Sequence, residues 1–407
     1  MADRPGALEA PGLPGGRPGV RGEARPALDG GGTVTHEVAT EVADLDVEVF
    51  RAEVRSVLAD FGSRLDPRQF FHGRGGATRE LYQELGRRGW LALGWPQPTG
   101  AVPATLAHEF ALWDELAYAR AARPDLASGI VAKTLVVHGT DEQKETFLPG
   151  IAAGRIGFAL GYSEPEAGSD LRAVRTRAVR DGDVYRVTGE KRWTSDAHCS
   201  DYLWLLCRAG EAGGHTLLIL DLRAEGVDIR PIETIDGHRL NEVFLDDVVV
   251  PVAHRVGDEG QAWNLIREAL AVERHLMVLP GRVRRDLDDL VSWARGTRAF
   301  ADPVFRARLD RLEIDVCATE VLAAEALARA LEGADCAAEA ARVKLVGSGA
   351  TQDIARAAFE HGYVEATDRD GDLAFLWRES VMETLAGGTS EIMRSVLART
   401  EFGLNPR

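Results

Sequence analysis

Between Asp181 and Pro251 apolar and polar residues alternate, whereas on both sides of that stretch apolar residues recur at helical spacing. A period of two marks a half-buried strand, and a period of about 3.6 marks an amphipathic helix. DGDVYRVTGEKRW (181–193) enters as a strand from an Asp-Gly turn. YLWLLCRAG, HTLLILDL and NEVFLDDVVV follow at short intervals, and Pro251 breaks the last. Ahead of them VADLDVEVFRAEVRSVLADFG, LYQELGRRGWLALGW and LAHEFALWDELAYARAA read as helices. Beyond Gly260 helical patterns dominate to Thr400, with Gly/Pro interruptions near 280 and 303. Helices, a compact β segment and a helical bundle define an α+β fold, divided at residues 39–156, 157–255 and 256–407. No internal repeat is visible.

Residues 1–38 differ in character. The first 32 hold nine Gly and five Pro and few large apolar side chains, so burial cannot offset their ordering entropy and a disordered tail is expected. Over the 407 residues, 48 Lys and Arg face 64 Asp and Glu, a net charge of −16. That balance argues against nucleic acid or an anionic membrane as partner. No apolar run is long enough to span a bilayer, and a hydrophobic signal segment is lacking. Cys199, Cys207, Cys317 and Cys336 show no CxxC spacing, so four reduced thiols, a cytoplasmic location and no metal site are expected.

Several motifs fall in order along this layout. HGTDEQKETFLPGIAAGRIG (138–157) leads into GFALGYSEPEAGSDL (157–171), then VTGEKRWTSDA (187–197), FLDDVVVP (244–251), VERH (272–275) and ETLAGGTSEIMR (383–394). Each alone is weak. In this order and at these distances they closely resemble the acyl-CoA dehydrogenase family of flavoproteins, over roughly Val42 to Thr400. The resemblance implies an N-terminal helical domain, a middle β-domain and a C-terminal four-helix bundle, assembled as a homodimer or homotetramer. It also implies FAD, an acyl thioester on CoA or acyl carrier protein, oxidation to the trans-2-enoyl thioester, and an electron-transfer flavoprotein as acceptor.

The resemblance assigns roles to matching positions. Tyr162 and Ser163 would line the pyrimidine edge of the flavin, where preorganised donors stabilise charge arriving with the hydride. The same residue types are favoured in any helix-to-strand turn. Trp193 would cover the flavin and Ser195 would bond near its N5, although a buried aromatic and a strand-end hydroxyl are common by themselves. Ser169 would meet the pantetheine arm. Arg298 and Phe300, in GTRAFAD, match a motif that reaches the partner subunit's FAD, with the arginine displaced by one and Ala301 in place of glycine. Thr389 or Ser390 can cap a helix whose first turn holds Glu391, where the dipole favours an acid, and Thr389 and Glu391 would lie beside the cofactor.

The paired glycines raise the question of the base. Many relatives carry a glutamate immediately before Gly-Thr, and here that position is Gly387. Its backbone N–H, which relatives use to hold the thioester carbonyl, is retained. A subset resembling isovaleryl-CoA dehydrogenase carries its glutamate just before an arginine on the first helix of the bundle, which here is Glu273-Arg274. Arg274 would then lie at the substrate. Periodicity supports the assignment independently, because Trp263, Ile266, Leu270 and Met277 recur at spacings of three and four and position 273 shares that stripe. Desolvation there would raise the carboxyl pKa toward the range of a useful base. Glu268 lies off the stripe. A second departure is ARAAFEHGY (355–363), where Arg356, Phe359 and Glu360 replace the glutamine and glycines of a loop that approaches FAD across the dimer. Two rival readings stay open: a flavin-dependent monooxygenase, and a flavin-poor partner subunit of a heteromeric dehydrogenase.

Overall fold

The computed structural model describes residues 42–65, 76–96, 102–210, 213–276, 278–362 and 371–404, with the side chains of 270–273 and 372 outside that description. The Gly/Pro-rich segment expected as a tail also lies outside it.

Helices come first. Asp46 caps α1 (Val47–Phe61) by accepting the Glu48 N–H, and the helix buries Phe50, Val54, Val57 and Phe61 along one stripe. α2 (Gly76–Arg87) and α3 (Leu106–Tyr118) share that core, with Leu81, Leu85, Leu112 and Leu116 fully buried. A π-helical turn, Ala127–Ala132, runs straight into α4 (Lys133–His138). α5 (Asp141–Ala152) opens on a capping box in which Thr140 and Gln143 each accept the other's backbone N–H.

The alternating segment forms one eight-stranded sheet. Its strands are β1 (Phe158–Gly161), β2 (Arg177–Asp181), β3 (Val184–Lys191), β4 (Tyr202–Ala209), β5 (Gly214–Asp221), β6 (Val227–Glu233), β7 (Arg239–Pro251) and β8 (Arg255–Val256). The order is β6-β7-β3-β2-β4-β5-β8, with β1 added parallel to β4. One face packs on the helical region through Phe147, Phe158, Trp204 and Ile219, and the other buries Tyr185, Leu203, Leu205 and Val243. Both faces of β4 are therefore apolar, which explains its unbroken LWLL run.

α6 (Ala262–Glu273) lays Ala262, Leu265 and Ile266 into the first of those cores and buries Ala269 as well. A 3-10 turn, Arg274–Leu276, ends it. The bundle is built from α7 (Pro280–Arg295), α8 (Pro303–Leu331), α9 (Ala337–His361) and α11 (Ser390–Phe402), with the short α10 (Asp372–Ser380) packed on α9. The interruptions near 280 and 303 are helix starts, each with proline in the first turn, where its missing N–H costs nothing. Among the described residues no helix is long and apolar enough to cross a membrane, and no group of three or more His, Cys, Asp or Glu is arranged to hold a metal ion. All four cysteines are free, and burial pushes the Cys207 thiol up to about 12.

Candidate active site

The sheet brings two of the sequence motifs together. Lys191, at the end of β3, donates from Nζ to the Tyr162 carbonyl at 3.2 Å, and the Arg192 N–H donates to the Ser163 carbonyl at 2.9 Å. The two segments are thus stitched side by side, so Tyr162, Ser163, Trp193 and Ser195 occupy one neighbourhood. Lys191 is wholly buried and is neutralised by Glu164, which also accepts backbone N–H groups from Arg175 (2.6 Å) and Thr176 (2.9 Å).

Trp193 stands in the left-handed region at φ +57°, as does Asp196 at +61°. For residues with a Cβ that conformation costs about 1 kcal/mol or more each, so surrounding contacts must hold it. Asn241, fully buried on β7, supplies two: its carbonyl accepts the Thr194 N–H at 3.0 Å and its Nδ2 donates to the Thr194 carbonyl at 2.9 Å. The result is a tryptophan left 45% exposed, with the Arg192 guanidinium 5.5 Å from its ring centroid.

This arrangement fits a flat aromatic cofactor. The indole is held open by strained backbone, and the hydroxyls of Ser163 and Ser195, half-buried, have no hydrogen-bond partner among the described residues. An isoalloxazine ring is a group of the right shape and polarity for such a cradle.

The bundle supplies the rest. Thr389 is the N-cap of α11, its Oγ1 accepting the Ile392 N–H at 3.2 Å, and Glu391 sits exposed in the first turn with Arg394 at 3.6 Å. Ser390 is helical, so Thr389 takes the capping role. Gly387 and Gly388 have φ of +65° and +97°. A Cβ at Gly387 would meet nothing within 4 Å, whereas one at Gly388 would come within 2.7 Å of Met393 Cε. No acceptor takes the Gly387 N–H among the described residues. Upstream, Gln352 of α9 donates to the Ser380 carbonyl (3.2 Å) and the Thr384 hydroxyl (3.3 Å), anchoring the approach to the glycines. Arg282 of α7 grips Glu379 of α10 through both terminal guanidinium nitrogens and donates from Nε to Asp286 at 3.0 Å.

Glu273 is the last residue of α6, and its side chain lies outside the described residues. The apolar stripe differs in detail from the expected one. Trp263 is only half-buried, beneath Arg172 at 5.2 Å, while Leu265 and Ala269 join Ile266 in the core; Leu270 and Met277 fall outside the described side chains. Glu268 is exposed and paired with His138 at 2.8 Å. Arg274 pairs with Asp335 at 2.5 Å. His275 lies 3.4 Å from Glu109, itself 2.7 Å from Lys133, and all three side chains are buried. Sequence reading did not find this buried Glu109–Lys133–His275 cluster, because its members come from three distant segments.

Arg298 and Phe300 are exposed on a 3-10 turn between α7 and α8. Ser169 is exposed in the turn before Asp170, whose side chain caps the next 3-10 turn. The segment from 355 is helix rather than loop: α9 continues to His361 because nothing in ARAAFEH breaks it. There Arg356 pairs with Asp353 (2.5 Å), Glu360 with Arg308, and Phe359 packs on Trp377 at 5.7 Å.

An eight-stranded sheet between an N-terminal helical region and a C-terminal helical bundle is the architecture of a flavoprotein dehydrogenase, and the chain belongs to the acyl-CoA dehydrogenase family. Family models for the N-terminal, middle and C-terminal domains of acyl-CoA dehydrogenase match residues 46–155, 159–248 and 260–402. The chain is similar to acyl-CoA dehydrogenase FadE26 of Mycobacterium tuberculosis, 35% identical across 88% of this chain and 96% of that protein. It is also similar to the Tcur3481-Tcur3483 steroid ACAD (32% identity, TM-score 0.82, 89% of this chain and 98% of that chain). The ChsE4-ChsE5 complex from Mycobacterium tuberculosis matches with 35% identity and TM-score 0.80, over 89% of this chain and 98% of that one. As an acyl-CoA dehydrogenase the protein is an oxidoreductase and its cofactor is FAD.

Proposed function

We propose that the protein oxidises an acyl-CoA at its α,β carbons to the trans-2-enoyl thioester, with Glu273 as the base. FAD, when bound, supplies the two-electron acceptor. The observation that carries the reading is the Gly387 N–H, which has no acceptor among the described residues and precedes the capped start of α11. A thioester carbonyl placed there is polarised by that donor and by the helix dipole, which acidifies the α-proton. Gly387 itself offers no carboxylate, and Glu268 is engaged at the surface by His138. Glu273, ending a helix whose buried face includes Ile266 and Ala269, is the remaining acid on that element's core-facing spacing. Its carboxylate takes the α-proton.

The open space around Gly387 suits a wide acyl group, and the steroid ACAD at 32% identity favours a polycyclic acyl chain over a slender one. CoA is the carrier; an acyl carrier protein remains a second candidate for the same thioester. An electron-transfer flavoprotein in the cytoplasm is the proposed acceptor.

A second reading concerns assembly. The helical 355–361 segment fills with Phe359 and Glu360 a place where a glycine-rich loop approaches FAD, and Val304, Ile314 and Val321 stand exposed along α8. These features support an oligomer completed by a different chain of the same family, in preference to a homodimer or homotetramer.

Anaerobic mixing of the yellow holoprotein with acyl-CoA tests the reaction. Glu273→Gln should bind thioester normally and lose about 10²–10⁴-fold or more in the rate of flavin bleaching. Bleaching at the parental rate would remove Glu273 from the mechanism.

A further inference from the structure

Arg123 lies between α3 and the π-helical turn, far in sequence from the cradle, yet its guanidinium forms an ion pair with the Asp196 carboxylate. Both side chains are largely buried, and Tyr82 of α2 fixes Arg123 further by donating from its hydroxyl to the Arg123 carbonyl at 2.8 Å. Asp196 is the second of two left-handed residues that bracket Ser195. Its own carbonyl accepts the N–H groups of Cys199 and Ser200, each at 3.0 Å, so the whole turn hangs on this residue. Among the described residues the other Asp196 oxygen, Oδ1, and the Ser200 hydroxyl are buried without a partner, beside a small cavity of about 10 Å³ lined by Tyr82, Arg123, Asp196 and Ser200.

We propose that Arg123 is a positioning residue for the cofactor: by clamping Asp196 it keeps the Trp193–Asp196 turn in the left-handed conformation that presents Trp193 and Ser195 to the flavin. Asn241 holds the turn from β7 and Arg123 holds it from the helical region, so two layers of the fold set the angle of one indole. A turn strained at two residues relaxes when either hold is cut. The inference rests on the reading of Trp193 as the residue that covers the flavin.

The test uses holoprotein and reads the flavin, not turnover. A stacked indole quenches flavin fluorescence, so Trp193→Phe should raise the emission of bound flavin and thereby establish the stacking independently. Arg123→Met should raise that emission at least about threefold and loosen FAD by roughly tenfold during dialysis. Arg123→Lys, which keeps the charge, should recover most of both. If Arg123→Met fails to fold, Asp196→Asn is read in the same way. Parental emission and FAD retention in Arg123→Met, even with a lower melting midpoint, would overturn the proposal and leave a plain structural ion pair. Unchanged emission in Trp193→Phe would instead overturn the stacking on which it rests.

Discussion

Lys191 and Glu164, 27 residues apart, form an ion pair of 2.8 Å in which the lysine is completely buried. Burial pushes the Glu164 carboxyl up, but the Lys191 charge and the hydrogen bonds from Lys191 and Thr176 together outweigh it and hold the group below its ordinary value. A carboxyl with a depressed folded pKa adds stability above its unfolded pKa, and that stability is lost as pH falls through the folded value. Glu164→Gln should therefore remove part of the acid dependence of stability below pH about 4.5. It also strands the Lys191 charge, at a cost of about 3–5 kcal/mol. Urea titration at pH 7 and at pH 4 measures both, and an unaltered pH slope would show that Glu164 does not carry the linkage.

Arg282 is gripped by Glu379 and Asp286 in the bundle, with every member buried. Glu379→Leu should cost about 3 kcal/mol or more because it leaves the guanidinium undercompensated. Since α10 leads into the turn before Gly387, the KM for acyl-CoA should rise with it. A stable variant with a parental KM would separate this network from the glycine segment.

Gly387 has a positive φ but free space where a Cβ would stand. Gly387→Glu placed into the Glu273→Gln variant should therefore fold, with about 1 kcal/mol of backbone strain. If both positions face the same α-carbon, the double variant should bleach flavin roughly tenfold faster than Glu273→Gln alone. Stopped-flow reduction decides it, and no recovery would place the two positions on different sides of the substrate.

Phe359 and Glu360 belong to a helical turn, packed on Trp377 and paired with Arg308. Changing both to Gly should cost about 1 kcal/mol in helix propensity alone and lower the thermal midpoint. FAD retention should not improve in this chain by itself. Tighter retention would mean that these side chains obstruct the cofactor.

What could be read in advance follows from range. The strand of DGDVYRV and the bundle helices carry their period locally, so they were legible. β2, almost wholly exposed as RAVRD, and β6, with Pro231 in its middle, lack that local signal and exist through their neighbours. Tyr162, Ser163, Trp193 and Ser195 were singled out because each sits in a short motif. Lys191, Asn241 and Arg123, which bond to the segments carrying those four, were not, since their partners lie 27, 47 and 73 residues away. The course of residues 355–361 was misjudged by following a glycine pattern that these side chains do not keep.

The two ends of the sheet differ in construction. β8 is two residues long, and β6 carries Pro231 among Asp228, Arg230 and Glu233. A strand that short offers almost no ladder to extend, and one with a missing N–H and several charges repels a stranger's backbone. Neither end of the main strand path therefore offers a second copy of the chain a ladder to extend, which guards these two edges against fibre-like pairing.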